Sequence, residues 1–217
     1  MLEQLLNIIA PDQCLICGQE GACVCQKCSE NSLLVKKPAC VMCNQLNTTG
    51  KTCPGCYAKS RLSGASVAYR YDGTAKDLIY AMKYQNHRGA MRYLADRLPD
   101  PKYHAGAVVS FVPSDGRSRR QRGFDQAEQL ARHYAKASGM EYVALLVRVR
   151  HTKQVGQSRS NRLKNIKGNF ICHRSVIGKT VILVDDVITT GATVGECAKV
   201  LKLAGAKRVW AVAVAKG

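Results

Sequence analysis

Thirteen residues, 181–193, with the sequence VILVDDVITTGAT, hold the densest chemistry in this 217-residue chain. Val181, Ile182, Leu183 and Val184 form an apolar run of strand length, as in a parallel sheet covered on both faces. Asp185 and Asp186 follow as adjacent carboxylates at the carboxyl end of that strand, where open α/β sheets place their ligands. Thr189, Thr190, Gly191, Ala192 and Thr193 then make a small, hydroxyl-rich turn into a helix. A helix amino terminus offers backbone N–H groups that no helical carbonyl uses, and anions bind there. One short segment thus sets acceptors for sugar hydroxyls beside donors for a phosphate, a pairing that suits a ribose 5-phosphate.

Apolar residues followed by two acids also describe the Walker B strand of a nucleoside triphosphatase, and Gly178-Lys179-Thr180 mimics the end of a Walker A loop. The first glycine of that loop would fall at His173, and the triplet precedes a strand instead of joining a strand to a helix. Residues 181–193 instead resemble the phosphoribosyl pyrophosphate (PRPP) motif of type I phosphoribosyltransferases. By that resemblance Asp185 and Asp186 hold the ribose 2′- and 3′-hydroxyls. The backbone and hydroxyls of residues 189–193 wrap the 5-phosphate.

Eight of the eleven cysteines fall into four CxxC knuckles, Cys14/Cys17, Cys25/Cys28, Cys40/Cys43 and Cys53/Cys56. Redox CxxC pairs occur singly, whereas two knuckles complete a four-thiolate site, so the series indicates zinc. The simplest, sequential pairing gives a double zinc ribbon with two structural Zn²⁺ ions, and the spacing leaves a crossed pairing open. So short a segment cannot bury a core, and the metal must supply its folding free energy. Cys23 is a spare beside the first site, and Cys197 lies on an apolar helix face with Val194 and Leu201.

The composition divides the chain into a metal-bound module, 1–60, and an α/β domain, 61–217. The first carries five lysines against four acids, the second 28 basic residues against 11 acids. Residues 117–174 alone hold 14 basic and three acidic residues, a density expected of polyanion contact. A pyrophosphate ligand accounts for part of the excess and nucleic acid for the rest. Nine tyrosines and three phenylalanines are not interleaved with cations, so the sequence shows no platform for stacking bases. No stretch approaches the roughly 20 apolar residues that cross a bilayer. Residues 1–11 read as a short amphipathic helix and not as a signal peptide, so a cytoplasmic location is expected.

Periodicity places strands at 65–71, 107–112, 142–147, 181–184 and 208–214, and helices at 74–84, 89–98, 124–138 and 193–204. The alternation indicates a twisted parallel sheet with helices on both faces. Residues 112–127, VPSDGRSRRQRGFDQA, form a loop whose Arg117, Arg119, Arg120 and Arg122 suit phosphate oxygens. The polar stretch 151–169 is long enough for a basic lid that closes over pyrophosphate and excludes water.

The CxxC knuckles, the helix ending Met82-Lys83-Tyr84, the RRQRGFDQ segment, the TKQVGQSRSNRLKN loop and VDDVITTGAT together resemble the ComF family, over essentially the whole chain. The resemblance implies a type I phosphoribosyltransferase-like sheet preceded by a zinc-ribbon module, with PRPP and Mg²⁺ as ligands. It places Pro113, Ser114 and Asp115 at the pyrophosphate loop, with Arg120, Arg122 and Lys83 nearby. Thr152, Gln154, Ser158, Arg162 and Asn165 occupy the lid pattern. It also implies a role in natural transformation, assisting single-stranded DNA into the cytoplasm, with DNA-uptake partners at the inner face of the membrane. An active transferase acting on a nucleobase or nucleic-acid acceptor is the alternative.

Overall fold

The computed structural model describes residues 13–30, 38–100, 106–149 and 168–217. The expected amino-terminal helix and the lid residues Thr152, Gln154, Ser158, Arg162 and Asn165 lie outside the described residues. Two short helices, α1 (Gln26–Glu30) and α2 (Pro54–Ser60), belong to the cysteine-rich module. The body runs β1 (Gly64–Arg70), α3 (Gly73–Tyr84), α4 (Arg88–Ala95), β2 (Val108–Phe111), α5 (Gly116–Arg122), α6 (Gln126–Ser138) and β3 (Glu141–Tyr142). It continues with β4 (Leu146–Arg148), β5 (Phe170–Cys172), β6 (Thr180–Ile188), α7 (Ala192–Leu203) and β7 (Arg208–Lys216).

Five strands form one parallel sheet in the order β1-β7-β6-β2-β3, and β4 pairs antiparallel with β5 apart from it. Alternation along the strands feeds two cores. Ile182, Val184, Val109 and Phe111 pack with Leu78 and Ile79 of α3, Leu94 of α4 and Leu130 of α6. Val181, Leu183 and Val108 pack with Val194, Cys197 and Leu201 of α7. Burial on both faces explains why the central strands read as continuous apolar runs, and Cys197 is core as its helical position suggested.

Strand β2 leads through α6 outward to β3, while its neighbour β6 leads through α7 the opposite way to β7. The two strands therefore flank a switch point, where the chains leaving them diverge and open a crevice at their carboxyl ends. Helix α6 is fixed at both ends. Asp125 accepts from the Ala127 amide at its start, and Gly139, at φ 66°, closes it in a left-handed conformation.

Three expectations shift. The strand expected at 142–147 divides, because β2 offers pairing only as far as Tyr142 and the chain then leaves the sheet. The Ser110 hydroxyl accepts from the Leu145 amide, and Leu146–Arg148 takes β5 as its partner. The arginine-rich segment is not all loop, since residues Gly116–Arg122 wind into α5. The motif strand does not stop at Val184 but continues beside β7 through Ile188.

The cysteine-rich module docks against the edge strand. Lys51 bridges to Gly64, and the Gly50 carbonyl accepts from Ala65. A β-carbon on Gly64 would sit 2.3 Å from the Trp210 ring and 2.8 Å from the Gly50 oxygen, so only glycine lets ribbon and sheet approach. Gly64→Val is expected to cost about 1–3 kcal/mol, read as a lower urea midpoint.

Candidate functional site

The crevice is built from the residues that follow the span over which β2 and β6 pair with each other. Pro113, Ser114 and Asp115 leave β2, with Pro113 buried and Asp115 exposed. Asp125, itself buried, holds this turn: its Oδ2 accepts from the Ser114 amide at 2.8 Å and from the Ser114 hydroxyl at 2.7 Å. Its other oxygen caps α6. Asp125 is a positioning residue that sequence reasoning passed over. Its signal was a carboxylate one residue before a helix in an otherwise basic segment.

On the other side, Asp185 and Asp186 point to different partners. The Asp186 carboxylate meets Lys83 Nζ at 2.7 Å, and both side chains are largely buried. Asp185 turns back, its Oδ1 accepting from the Asp186 amide at 2.9 Å. Desolvation, followed by repulsion from Asp186, lifts the Asp185 carboxyl well above its ordinary range, against the opposing pull of that amide and of Lys83. Burial and then the Asp185 charge likewise push up the Cys197 thiol.

The threonine-glycine turn is held from two directions. Gly191 begins α7 at φ 76°, and the Thr190 hydroxyl accepts from the Ala192 amide at 3.3 Å. Thr189 and Thr190 are exposed, while Ala192 and Thr193 are partly buried. Lys216, at the end of β7, donates from Nζ to the Thr189 carbonyl at 2.6 Å. The Cys40/Cys43 knuckle presses on α7. A β-carbon at Gly191 would lie 2.5 Å from Met42 Sδ, and one at Gly195 would lie 3.6 Å from Met42 Cε. Met42 and Lys216 are far from the motif in sequence and no local pattern marks either.

Lys83 also lines a cleft of about 360 Å³ with Tyr84, Asn86, Gln121, Arg122 and Phe124. Of the arginines assigned to phosphate, Arg122 thus stands beside Lys83, whereas Arg119 and Arg120 are exposed on α5 and do not line the cleft. The side chain of Arg117 lies outside the described residues.

The cysteines resolve the pairing left open by their spacing. Cys14, Cys17, Cys25 and Cys28 converge, as do Cys40, Cys43, Cys53 and Cys56, with sulfur atoms within 4.8 Å of one another in each group. Neighbouring knuckles approach to 3.6 Å between Cys17 and Cys25 and 3.7 Å between Cys43 and Cys53. A tetrahedral ion with metal–sulfur bonds of 2.3 Å needs an edge of about 3.8 Å. Both groups can therefore hold a metal ion. The two halves repeat one design, a tight turn closed by Gly18→Cys14 or Asn44→Cys40 hydrogen bonds, then a CxxC entering α1 or α2.

Each site has one sulfur prepared for ligation. Burial raises the Cys14 thiol, but backbone N–H groups of Cys25, Ile16 and Cys17 prevail and bring it down to about 6. For Cys40, burial is outweighed in the same way by the amides of Cys53, Cys43 and Met42, again to about 6. Desolvation first, then neighbouring sulfurs, pushes Cys28 up to about 12, and the sulfur neighbours followed by desolvation do the same for Cys56. The protons of Cys28 and Cys56 leave against a bound cation, not into water at neutral pH.

Two measurements follow from this geometry. Elemental analysis is expected to find two metal equivalents per chain, and Cys40→Ser to lower this to one while loosening residues 189–193 in hydrogen exchange. Asp185→Asn is expected to raise thermal stability at neutral pH. The wild-type carboxyl has its folded pKa above the unfolded value, so its penalty is present at neutral pH and fades as pH falls through the raised value toward 3.8. The advantage of the asparagine variant should vanish over that same window.

Comparison with known proteins agrees with this architecture. A family model described as a phosphoribosyl transferase domain matches residues 121–217. The chain is 27% identical to competence protein ComFC of Streptococcus pneumoniae over 91% of this chain and 96% of that protein. It is 31% identical to competence protein F of Haemophilus influenzae over 63% of this chain, spanning 66% of that protein. It is 36% identical to the DNA utilization protein YhgH of Salmonella typhimurium over 55% of this chain and about half, 51%, of that protein. Among solved structures, glutamine PRPP amidotransferase from B. subtilis aligns with 56% of this chain and 24% of its own, at 27% identity and a TM-score of 0.37. With its two four-cysteine groups at the amino-terminal end and a phosphoribosyl transferase domain matched over residues 121–217, the chain is similar over nearly its whole length to competence protein ComFC and over a shorter span to competence protein F.

Proposed function

We propose that this protein binds PRPP with Mg²⁺ in the crevice between β2 and β6 and serves natural transformation by assisting single-stranded DNA into the cytoplasm. The observation that carries the reading is the convergence of an acidic pair, a fixed Ser114 turn and the hydroxyl-rich start of α7 at one switch point. Asp185 and Asp186 would accept from the ribose hydroxyls, and the turn 189–193 would wrap the 5-phosphate. Pro113, Ser114, Asp115, Lys83, Arg120 and Arg122 would face the pyrophosphate. Mg²⁺ would enter on pyrophosphate oxygens, where it supplies charge neutralisation. Thr152, Gln154, Ser158, Arg162 and Asn165 would close over the ligand. Zinc is the ion that suits eight thiolates in two closed tetrahedra, with a structural role.

The uptake role draws on the competence and DNA-utilization names of the relatives and on the basic excess of residues 61–217. Among the described residues no helix is long and apolar enough to cross a membrane, which suits a protein acting at the cytoplasmic face of the inner membrane beside an uptake machinery. A second reading, a working phosphoribosyltransferase, is favoured by the cleft that adjoins Asp186 through Lys83 and leaves space for an acceptor. Pyrophosphate would then depart from the sugar as the acceptor bonds to the anomeric carbon, with the cations stabilising the leaving charge.

Calorimetry with PRPP and Mg²⁺ tests the common part. Wild type is expected to bind, and Asp185→Asn with Asp186→Asn to weaken binding by about 100-fold or more while the protein still unfolds cooperatively, since each carboxylate forfeits charge-assisted hydrogen bonds. Unchanged affinity in the double variant overturns the assignment. Release of pyrophosphate on adding a nucleobase or a DNA end selects the transferase reading.

A further inference from the structure

Helix α3 meets its packing needs with Ala75, Leu78, Ile79, Ala81 and Met82, all buried. Its last turns nevertheless present two large rings to solvent. Tyr80 and Tyr84 are 56% and 68% exposed, and their ring centroids lie 4.9 Å apart at a 41° tilt. Four residues apart on a helix, they share one face. Exposed rings tilted against each other contribute little to a core that already has its apolar surface.

Tyr84 is also a wall of the 360 Å³ cleft, and the wall residues are of three kinds. Tyr84 and Phe124 are aromatic and come from separate elements, Asn86 and Gln121 carry amides, and Lys83 and Arg122 are cations. Rings give a stacking surface, amides can donate to and accept from a heterocycle edge, and cations meet a phosphate. The volume is at the low end for small-molecule sites, room for one nucleotide and not a run of them. Through Lys83 the cleft shares a wall with the Asp186 side of the crevice.

We propose that this cleft seats one unpaired nucleotide of single-stranded DNA, its base stacked on Tyr84 and its phosphate at Arg122, while Tyr80 receives the neighbouring base. This rests on the reading of the protein as one that handles single strands. The stacking platform that the sequence does not display is assembled from the end of α3 and the residues between α5 and α6. A duplex cannot use it, because its bases are already stacked on one another. Arg119 and Arg120 of α5 are exposed and do not line the cleft.

The test is fluorescence anisotropy of a labelled oligo-dT and of a duplex of equal length, at several salt concentrations, with PRPP–Mg²⁺ calorimetry alongside. Tyr84→Leu is expected to weaken oligo-dT binding by about 5- to 100-fold, with duplex affinity, salt slope and PRPP affinity unchanged. Tyr84→Phe keeps the ring and is expected to keep the affinity. Arg119→Gln with Arg120→Gln should instead lower the salt slope for both DNAs. Equal losses for single strand and duplex, or none in Tyr84→Leu, overturn the stacking site while leaving PRPP binding standing. A wild-type protein that binds PRPP but no oligo-dT overturns both this site and the uptake role, and one that binds oligo-dT but no PRPP overturns the crevice assignment alone.

Discussion

Parallel pairing between β2 and β6 over only four residues, Val108–Val181 to Phe111–Val184, is the constraint on which the rest of the site depends. Within that span the strands are locked by backbone hydrogen bonds and buried on both faces, so neither can shift without exposing a core. Beyond it their connections run to opposite sides. Just past the β2–β6 span stand the Ser114 turn on one strand and, on the other, the acidic pair, which β7 alone continues to hold. A rigid pairing that ends abruptly turns two neighbouring strands into the walls of a crevice, and the chemistry stands where β6, still held by β7 on its other side, loses β2 as a neighbour.

Charge inside that crevice is managed by a few close contacts. Lys83 offsets Asp186, a backbone amide steadies Asp185, and buried Asp125 satisfies both polar groups of Ser114 while capping α6. Two carboxylates side by side in a sheet repel and lose hydration, so their positions cost stability that the apolar layers on either face must offset. The arrangement is the kind in which fold stability is spent on a surface prepared for a ligand.

Much of this was legible in the chain. The run 181–184 had to be a central strand because four successive apolar residues can be buried only between two layers. The knuckle spacing announced metal sites, and the sequential order of the pairs proved to be their pairing in space. What stayed hidden depends on residues distant in sequence. Met42, Lys216 and the Tyr84–Phe124 cleft gain their roles from juxtaposition, and none sits in a local pattern with a period or a spacing. The division of residues 142–147 was hidden for a similar reason: a strand pattern does not say where its partner ends, and Ser110 decides that from 35 positions away. The helix within 116–122 was masked by its arginines, which favour helices but leave no apolar stripe to betray one.

The Met42 sulfur occupies the space that any side chain at position 191 would claim. Positions 42 and 191 are thus one volume shared between two parts of the chain that a gene could otherwise lengthen, trim or exchange separately. Replacing the ribbon with a differently shaped appendage would bare the underside of the threonine-glycine turn. Enlarging the turn would force the Met42 side chain out of its place. The small module and the sheet are therefore bound to drift together, as a key and its ward.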